Sequence, residues 1–338
     1  HRLFRRQRQM CIRDSTKRFG PILANDDITI ELQKGEVLAL LGENGAGKTT
    51  LMNMLFGHYL PDSGNIEIKR TDDNLVPLEL GDPSAALAAG IGMVHQHFTL
   101  AENITAFENI TLGAESLFSL RRNQKKAQTK IKSIMSHSGL DAPLDIPVGK
   151  LSVGERQRVE ILKALYQDAH ILALDEPTAV LTPQEADSLF SNLRRMTNQG
   201  LSVIFITHKM REVLSFSDRL VVLRDGKNVG SMKTSDASEK KIARLMVGSE
   251  TQKVSSKRIK PGGPILSLNE ISVAGQSKRD SLHDVNLILN SNEILGIAGI
   301  SGNGQNVLAD LISGLVAPDR GSIAVSYTHL TLPTKQPV

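Results

Sequence analysis

The chain has 338 residues, 40% of them hydrophobic and 22% charged, which excludes a disordered or fibrous polypeptide and predicts two domains. No apolar run approaches the ~20 residues of a membrane-spanning helix, and the single cysteine, Cys11, excludes a disulfide framework. The net charge of +4 arises within residues 1–15, where five arginines face Asp14 alone, so a uniformly basic surface for nucleic acid is not supported.

Residues 1–15 (HRLFRRQRQMCIRDS) begin without Met and lack the apolar core of a secretory signal. They resemble translated adapter or cloning read-through, so the first domain is expected to start at residue 16. VLALL (37–41) reads as a buried strand. It runs into Gly42, Glu43, Asn44, Gly45, Ala46, Gly47, Lys48, Thr49 and Thr50, ahead of the helical LMNMLF. This is G-x4-G-K-[ST] in a strand–loop–helix setting, which marks a phosphate-binding loop. Its glycines let backbone N–H groups turn toward phosphate oxygens, and the helix N-terminus adds partial positive charge. Lys48 is placed to reach the β- and γ-phosphates, and the Thr49 hydroxyl to ligate Mg²⁺.

IGMV (91–94) predicts a further strand, and residues 107–148 read as mostly helical. The basic run from Arg121 to Lys132 reads as a solvated helix face. LSVGERQRVEILKAL (151–165) then opens on Ser152, Val153, Gly154 and Glu155, a capping box that starts a helix with exposed amides. Ordinary capping accounts for it; a sharper reading is that this N-terminus meets the γ-phosphate of a nucleotide held by another domain. HILALDEP places Asp175 and Glu176 at the end of a buried strand. Asp175 suits Mg²⁺, generally through water, and Glu176 can polarise an attacking water as general base. SVIFI (202–206) is another strand, and LVVLRDGKNV is a hairpin turning at Asp225–Gly226. Apolar strands alternating with helices predict an α/β domain around a parallel sheet.

Shifting the chain by 257 positions brings it onto itself. Asp27 falls on Asp284, Glu36 on Glu293, Gly42 on Gly299, Gly47 on Gly304, Gly57 on Gly314 and Gly64 on Gly321. The repeat predicts a first domain over 16–250, a basic linker over 251–263, and a second copy over 264–325 that is truncated. The final residues, 326–338, resemble read-through again. In the second copy Gln305 stands where Lys48 does, and Asn306 where Thr49 does, so the lysine charge and the hydroxyl ligand are both missing.

Taken together, the phosphate loop, the LSVGE helix and the DEP segment resemble the ATP-binding cassette (ABC) ATPases over residues 16–325. The resemblance implies a P-loop NTPase fold with a mixed sheet and an inserted helical subdomain, and ATP and Mg²⁺ as ligands. It implies that Gln96 links Mg²⁺ to a membrane partner, that His208 is the switch histidine facing the γ-phosphate, and that each nucleotide is sandwiched between one cassette's loop and the other's signature helix. Phe19 lies where the family places an aromatic that stacks on adenine; packing into the core is the alternative for it. The signature departs from the usual L-S-G-G-Q at Val153 and Glu155, and Thr182 replaces an aspartate that crosses the dimer interface. With a tandem arrangement and a weakened second loop, the chain is similar to the ATPase subunits of simple-sugar and nucleoside importers. That implies peripheral attachment to the cytoplasmic face of a bacterial membrane, two permease subunits and an extracytoplasmic solute-binding protein. A tandem-cassette translation factor and a nucleotide-sensing module are the competing readings.

Overall fold

The structure, a computed structural model, describes residues 8–69, 75–96, 98–113, 124–248, 260–275, 281–299 and 303–326. The chain divides into two compact units, His1–Gln252 and Lys253–Val338.

The first unit runs β1 (Arg8–Phe19), β2 (Ile22–Gln33), β3 (Val37–Leu41), α1 (Lys48–Leu55), β4 (Ser63–Lys69), β5 (Leu75–Pro77), α2 (Pro83–Ala88), β6 (Ile91–Val94), α3 (Ala106–Thr111), α4 (Gln124–Ser138), α5 (Val153–Tyr166), β7 (Ile171–Asp175), α6 (Pro183–Asn198), β8 (Ser202–Ile206), α7 (Met210–Phe216), β9 (Arg219–Arg224), β10 (Lys227–Lys233) and α8 (Glu239–Val247). Six strands form a sheet in the order β10-β9-β3-β8-β7-β6. Its five inner and far members are parallel, and β10 closes one edge antiparallel to β9. The β9–β10 turn lies at Asp225 (φ +51°) and Gly226 (φ +75°), the left-handed pair of a tight hairpin. A second, antiparallel sheet has the order β2-β1-β4-β5.

Alternate residues of β3 decide which core lies on which face. Leu38 and Leu40 pack with β1, β2, β4 and α1, while Val37, Ala39 and Leu41 pack with helices α3 to α6. A parallel sheet covered on both faces favours apolar residues on both sides of each strand, so VLALL, ILAL and VIFI are unbroken runs.

The boundary expected at residue 16 falls inside a strand. In β1, Met10 pairs with Leu32 and Ile68, and Ile12 with Ile30 and Ile66. Met10, Cys11 and Ile12 are fully buried, and Arg8 and Arg13 form ion pairs with Glu31 and Glu67. The apolar run Met10-Cys11-Ile12 thus fills an inner position of the antiparallel sheet, between β2 and β4. Within the helical stretch, Lys125, Lys126 and Lys132 are exposed on α4, whose buried side is Ala127, Ile131 and Ser138. Arg121 and Arg122 lie outside the described residues, as does most of the linker expected over 251–263.

The second unit holds β11 (Pro264–Val273), β12 (Leu282–Asn290), α9 (Gln305–Ile312) and β13 (Arg320–Val325), with antiparallel order β12-β11-β13. Residues 293–299 (EILGIAG) form no strand, and Ile294 is fully exposed. Of the tail expected over 326–338, only Ser326 is described; its N–H bonds to Ile265 O. Among the described residues no helix is long and apolar enough to cross a membrane.

Candidate functional site

The C-terminal ends of the parallel strands carry the site, the place where an open α/β sheet collects ligand-binding groups. From β3 the chain turns through Gly42–Gly47 into α1. Gly47 is the residue before the helix, at φ +95°, where a Cβ would strike the Ala24 carbonyl and the Asn25 amide. Asn25 is fully buried, and its Nδ2 donates to Gly47 O at 3.2 Å. It pins the loop from the neighbouring sheet, and nothing in the local sequence signals that role.

Lys48 is 8% exposed, and its ammonium donates to Gly42 O (2.8 Å) and Glu43 O (2.7 Å). It therefore curls back over the loop between Gly42 and Lys48. Burial pulls its pKa below the ordinary lysine value, opposed by the nearby carboxylates of Glu176, Asp175 and Glu43. Beside it, the Thr49 hydroxyl donates to Asp175 Oδ2 at 3.3 Å across 126 positions of sequence. Asp175 is itself buried, and that burial raises its pKa, against the Thr49 bond, which lowers it. A hydroxyl and a partly desolvated carboxylate are hard oxygen donors, and this pair fits Mg²⁺.

Glu176 opens the turn directly after β7 at φ +47°, a left-handed conformation that a non-glycine residue holds only when its surroundings fix it. Its N–H bonds to Ile206 O at 3.0 Å, the end of the adjacent strand β8. One carboxylate oxygen accepts from Gln96 Nε2 at 3.3 Å; the other lies 3.1 Å from His208 Nδ1. Three residues from three strand ends thus converge, with the Gln96 amide oxygen left over as a further hard donor.

Phe19 is 42% exposed, which removes the core alternative for it. Tyr59 meets it edge-to-face at 5.3 Å between ring centres, and the Lys17 ammonium lies 5.4 Å from the Phe19 ring. The result is an open aromatic platform at the tip of the β1–β2 hairpin; Tyr59 as its second ring is not apparent from sequence.

The signature residues stand apart from the loop. Ser152 caps α5, its hydroxyl accepting from Glu155 N–H, and Glu155 returns the bond by accepting from Ser152 N–H at 2.8 Å. Those bonds pull the Glu155 pKa down. None of the four residues bonds to the phosphate loop; Val153 is exposed and lines a cleft with Gln96, Phe98, Leu100, Arg156 and Val180. Two buried side chains on α5 reach toward the other loops. Gln157 Nε2 donates to Pro177 O, and Glu160 Oε1 accepts from Thr99 N–H and from the Thr99 hydroxyl. Spacing alone does not reveal these long-range ties.

In the second unit Gly304 precedes α9 at φ +86°, and Gln305 and Asn306 begin that helix; residues 300–302 of the loop lie outside the described residues.

Residues 25–179 match the family model described as ABC transporter. The glucose import ATP-binding protein TsgD13 of Haloferax volcanii is 42% identical, covering 93% of this chain and 62% of that protein. Nucleoside import ATP-binding protein NupA of Lactococcus lactis is 41% identical over 94% of this chain and 62% of its own length. The guanosine import ATP-binding protein NupO of Bacillus subtilis is 41% identical over 92% and 60%. The chain therefore spans about three-fifths of these curated relatives. Among solved structures, an ATP-binding cassette of an ABC transporter in its ADP conformation has a TM-score of 0.60 at 25% identity, covering 71% of this chain and 95% of its own. A nucleotide-free cassette gives 0.61 at 24% identity, covering 75% and 99%. Fold, family match and relatives agree: the first unit has the fold of the ATP-binding cassettes of ABC transporters, and residues 25–179 match the ABC transporter family model.

Proposed function

We propose that this chain is the ATP-binding and ATP-hydrolysing subunit that powers import of a nucleoside or a simple sugar through an ABC transporter. The observation that carries the reading is the convergence of Gln96, Glu176 and His208 beside the Lys48, Thr49 and Asp175 group. A protein that only binds nucleotide has no use for a carboxylate held in a left-handed turn by two neighbours. Gly42–Thr50 wrap the phosphates with backbone N–H groups, Lys48 neutralises charge on the β- and γ-phosphates, and Phe19 stacks on adenine. Thr49, Asp175 and Gln96 would hold Mg²⁺, which supplies charge neutralisation on the phosphates when bound. Glu176 takes the proton of the attacking water, and His208 holds the Glu176 carboxylate in place and contacts the γ-phosphate.

Ser152, Val153, Gly154 and Glu155 act on the nucleotide of a partner cassette. The side-chain bonds of Ser152 and Glu155 close within the cap, and the first N–H groups of a helix have no partner inside the helix. The second unit is a degenerate copy of the first. Its order β12-β11-β13 parallels β2-β1-β4. Asp62 N–H bonds to Thr16 O as Asp319 N–H does to Ser272 O, and the Thr16 and Ser272 hydroxyls accept from Asp27 and Asp284. Gly64 and Gly321 share φ near +94° (+93° and +95°). Two permease subunits, a solute-binding protein outside the membrane and residence at its cytoplasmic face complete the proposal, with the cleft at Gln96 and Val153 receiving the permease. The relatives named for glucose, nucleoside and guanosine import support both solute classes. The test is direct. Purified protein should hydrolyse ATP only with Mg²⁺, Glu176→Gln should abolish it, and deleting the gene should remove uptake of a labelled nucleoside or sugar. Turnover undiminished in Glu176→Gln would overturn the reading.

A further inference from the structure

Behind the Glu176–His208 pair lies a polar cluster that no role above uses. Thr178, two residues past Glu176, and Thr207, directly before His208, are 1% and 2% exposed. Both hydroxyls donate to one carboxylate, that of Glu212 in the first turn of α7. Thr178 Oγ1 bonds to Glu212 Oε1 at 2.5 Å, and Thr207 Oγ1 to Glu212 Oε2 at 3.0 Å. Lys209, directly after His208, completes the cluster. Its ammonium donates to Thr178 O (2.8 Å) and Thr178 Oγ1 (3.1 Å) and lies 3.3 Å from Glu212 Oε1. Its own N–H bonds to Thr207 Oγ1 at 3.1 Å.

The residues on both sides of His208 and the segment leaving Glu176 are therefore tied to one side chain. Among the described residues Glu212 bonds to Thr178, Thr207 and Lys209 rather than to Glu176 or His208, yet it fixes the backbone from which each projects. Two segments from adjacent strand ends, already joined by the Glu176 N–H bond to Ile206 O, are thereby locked into one register at a second point. We propose that Glu212 is the positioning residue of the Glu176–His208 pair, acting through Thr178, Thr207 and Lys209. The geometry joins the two loops at the level of their backbones, so the 3.1 Å contact between Glu176 and His208 is held before nucleotide arrives. A shift of about 1 Å at a reacting group costs on the order of 100-fold in rate, which is the scale on which such a clamp acts. The inference rests on the proposed roles of Glu176 and His208.

The test compares Glu212→Gln, Thr178→Val, Thr178→Ser and Lys209→Met in the whole chain, with Glu176→Gln alongside. Glu212→Gln keeps the shape but puts an amide donor against a threonine hydroxyl. In that variant kcat should fall by at least ~10-fold while KM for Mg-ATP stays within about twofold, because only the reacting groups move. Thr178→Val should lose kcat likewise, and Thr178→Ser, which retains the hydroxyl, should restore it. Amide exchange supplies a readout independent of turnover: protection at Thr178–Ala179 and at Thr207–Lys209 should drop together in Glu212→Gln. Should Glu212→Gln fail to fold, the half-buried Lys209→Met and the two Thr178 variants decide the same question. If Glu176→Gln abolishes turnover but Glu212→Gln, Thr178→Val and Lys209→Met retain kcat, the clamp is wrong and the general-base assignment stands. If Glu176→Gln retains turnover, that assignment fails, and loosening of only one loop would then sink the clamp on its own terms.

Discussion

Lys48 and Glu176 sit close together in the same site, and substituting each should fail in a different way. Lys48→Ala removes the ammonium that bridges Gly42 O and Glu43 O, so the loop loses its internal clasp and the phosphates their cation. A charge-assisted hydrogen bond contributes about 1.5–3 kcal/mol, which predicts Mg-ATP binding weaker by roughly 10- to 150-fold at 1.4 kcal/mol per tenfold. Glu176→Gln retains an oxygen to accept from Gln96 or His208 and leaves the loop untouched. Its affinity should change by no more than about twofold, since no phosphate contact is lost. Turnover should drop by about 10²- to 10⁴-fold, because an amide cannot take the proton of the attacking water. Calorimetric titration of Mg-ATP into each variant, followed by phosphate-release kinetics at saturating nucleotide, separates binding from chemistry. Equal loss of affinity in both variants would show that the roles of Lys48 and Glu176 are wrongly assigned.

With Ser152 and Gly154 acting on a partner's nucleotide as proposed, the ATPase rate per chain should rise with protein concentration, as mass action requires of a weak dimer; a constant rapid rate over a wide dilution series would refute the trans arrangement. Gly154→Ala places a Cβ 2.6 Å from Glu185 Oε1, expelling it from the capping box it forms with Thr182 at the start of α6. Loss of that cap should cost about 0.5–2 kcal/mol, read as a lower urea midpoint, and an unchanged midpoint would mean that Glu185 moves aside freely. Burial raises the pKa of the Glu160 carboxyl, whose Oε2 has no partner. A raised pKa means that its contribution to stability is complete below the unfolded value of 4.5 and fades as pH rises through the folded value. Glu160→Gln should therefore gain Tm relative to the unsubstituted chain as pH climbs from 4 toward 8, and a pH-independent difference would show that Glu160 does not titrate with folding.

Local rules were enough for the elements that carry their own signal. Unbroken apolar runs marked the buried parallel strands, G-x4-G-K-[ST] between a strand and a helix marked the phosphate loop, and Ser152 with Glu155 marked the start of α5. In each case the chemistry is set by neighbours within a few residues, so spacing is sufficient. Tertiary structure decided everything that joins distant segments. It placed Arg8–Ser15 inside a sheet, because Met10 and Ile12 pair with β2 and β4, partners that a segment read as read-through does not reveal. It drew Gln96, Glu176 and His208 together from three strand ends, bonded Thr49 to Asp175 across 126 positions, and left Phe19 open beside Tyr59. It also hung the loops bearing Glu176 and His208 on Glu212. Hydrogen bonds of that kind depend on distance in space, and a parallel sheet brings into contact strand ends that the chain separates by a whole helix.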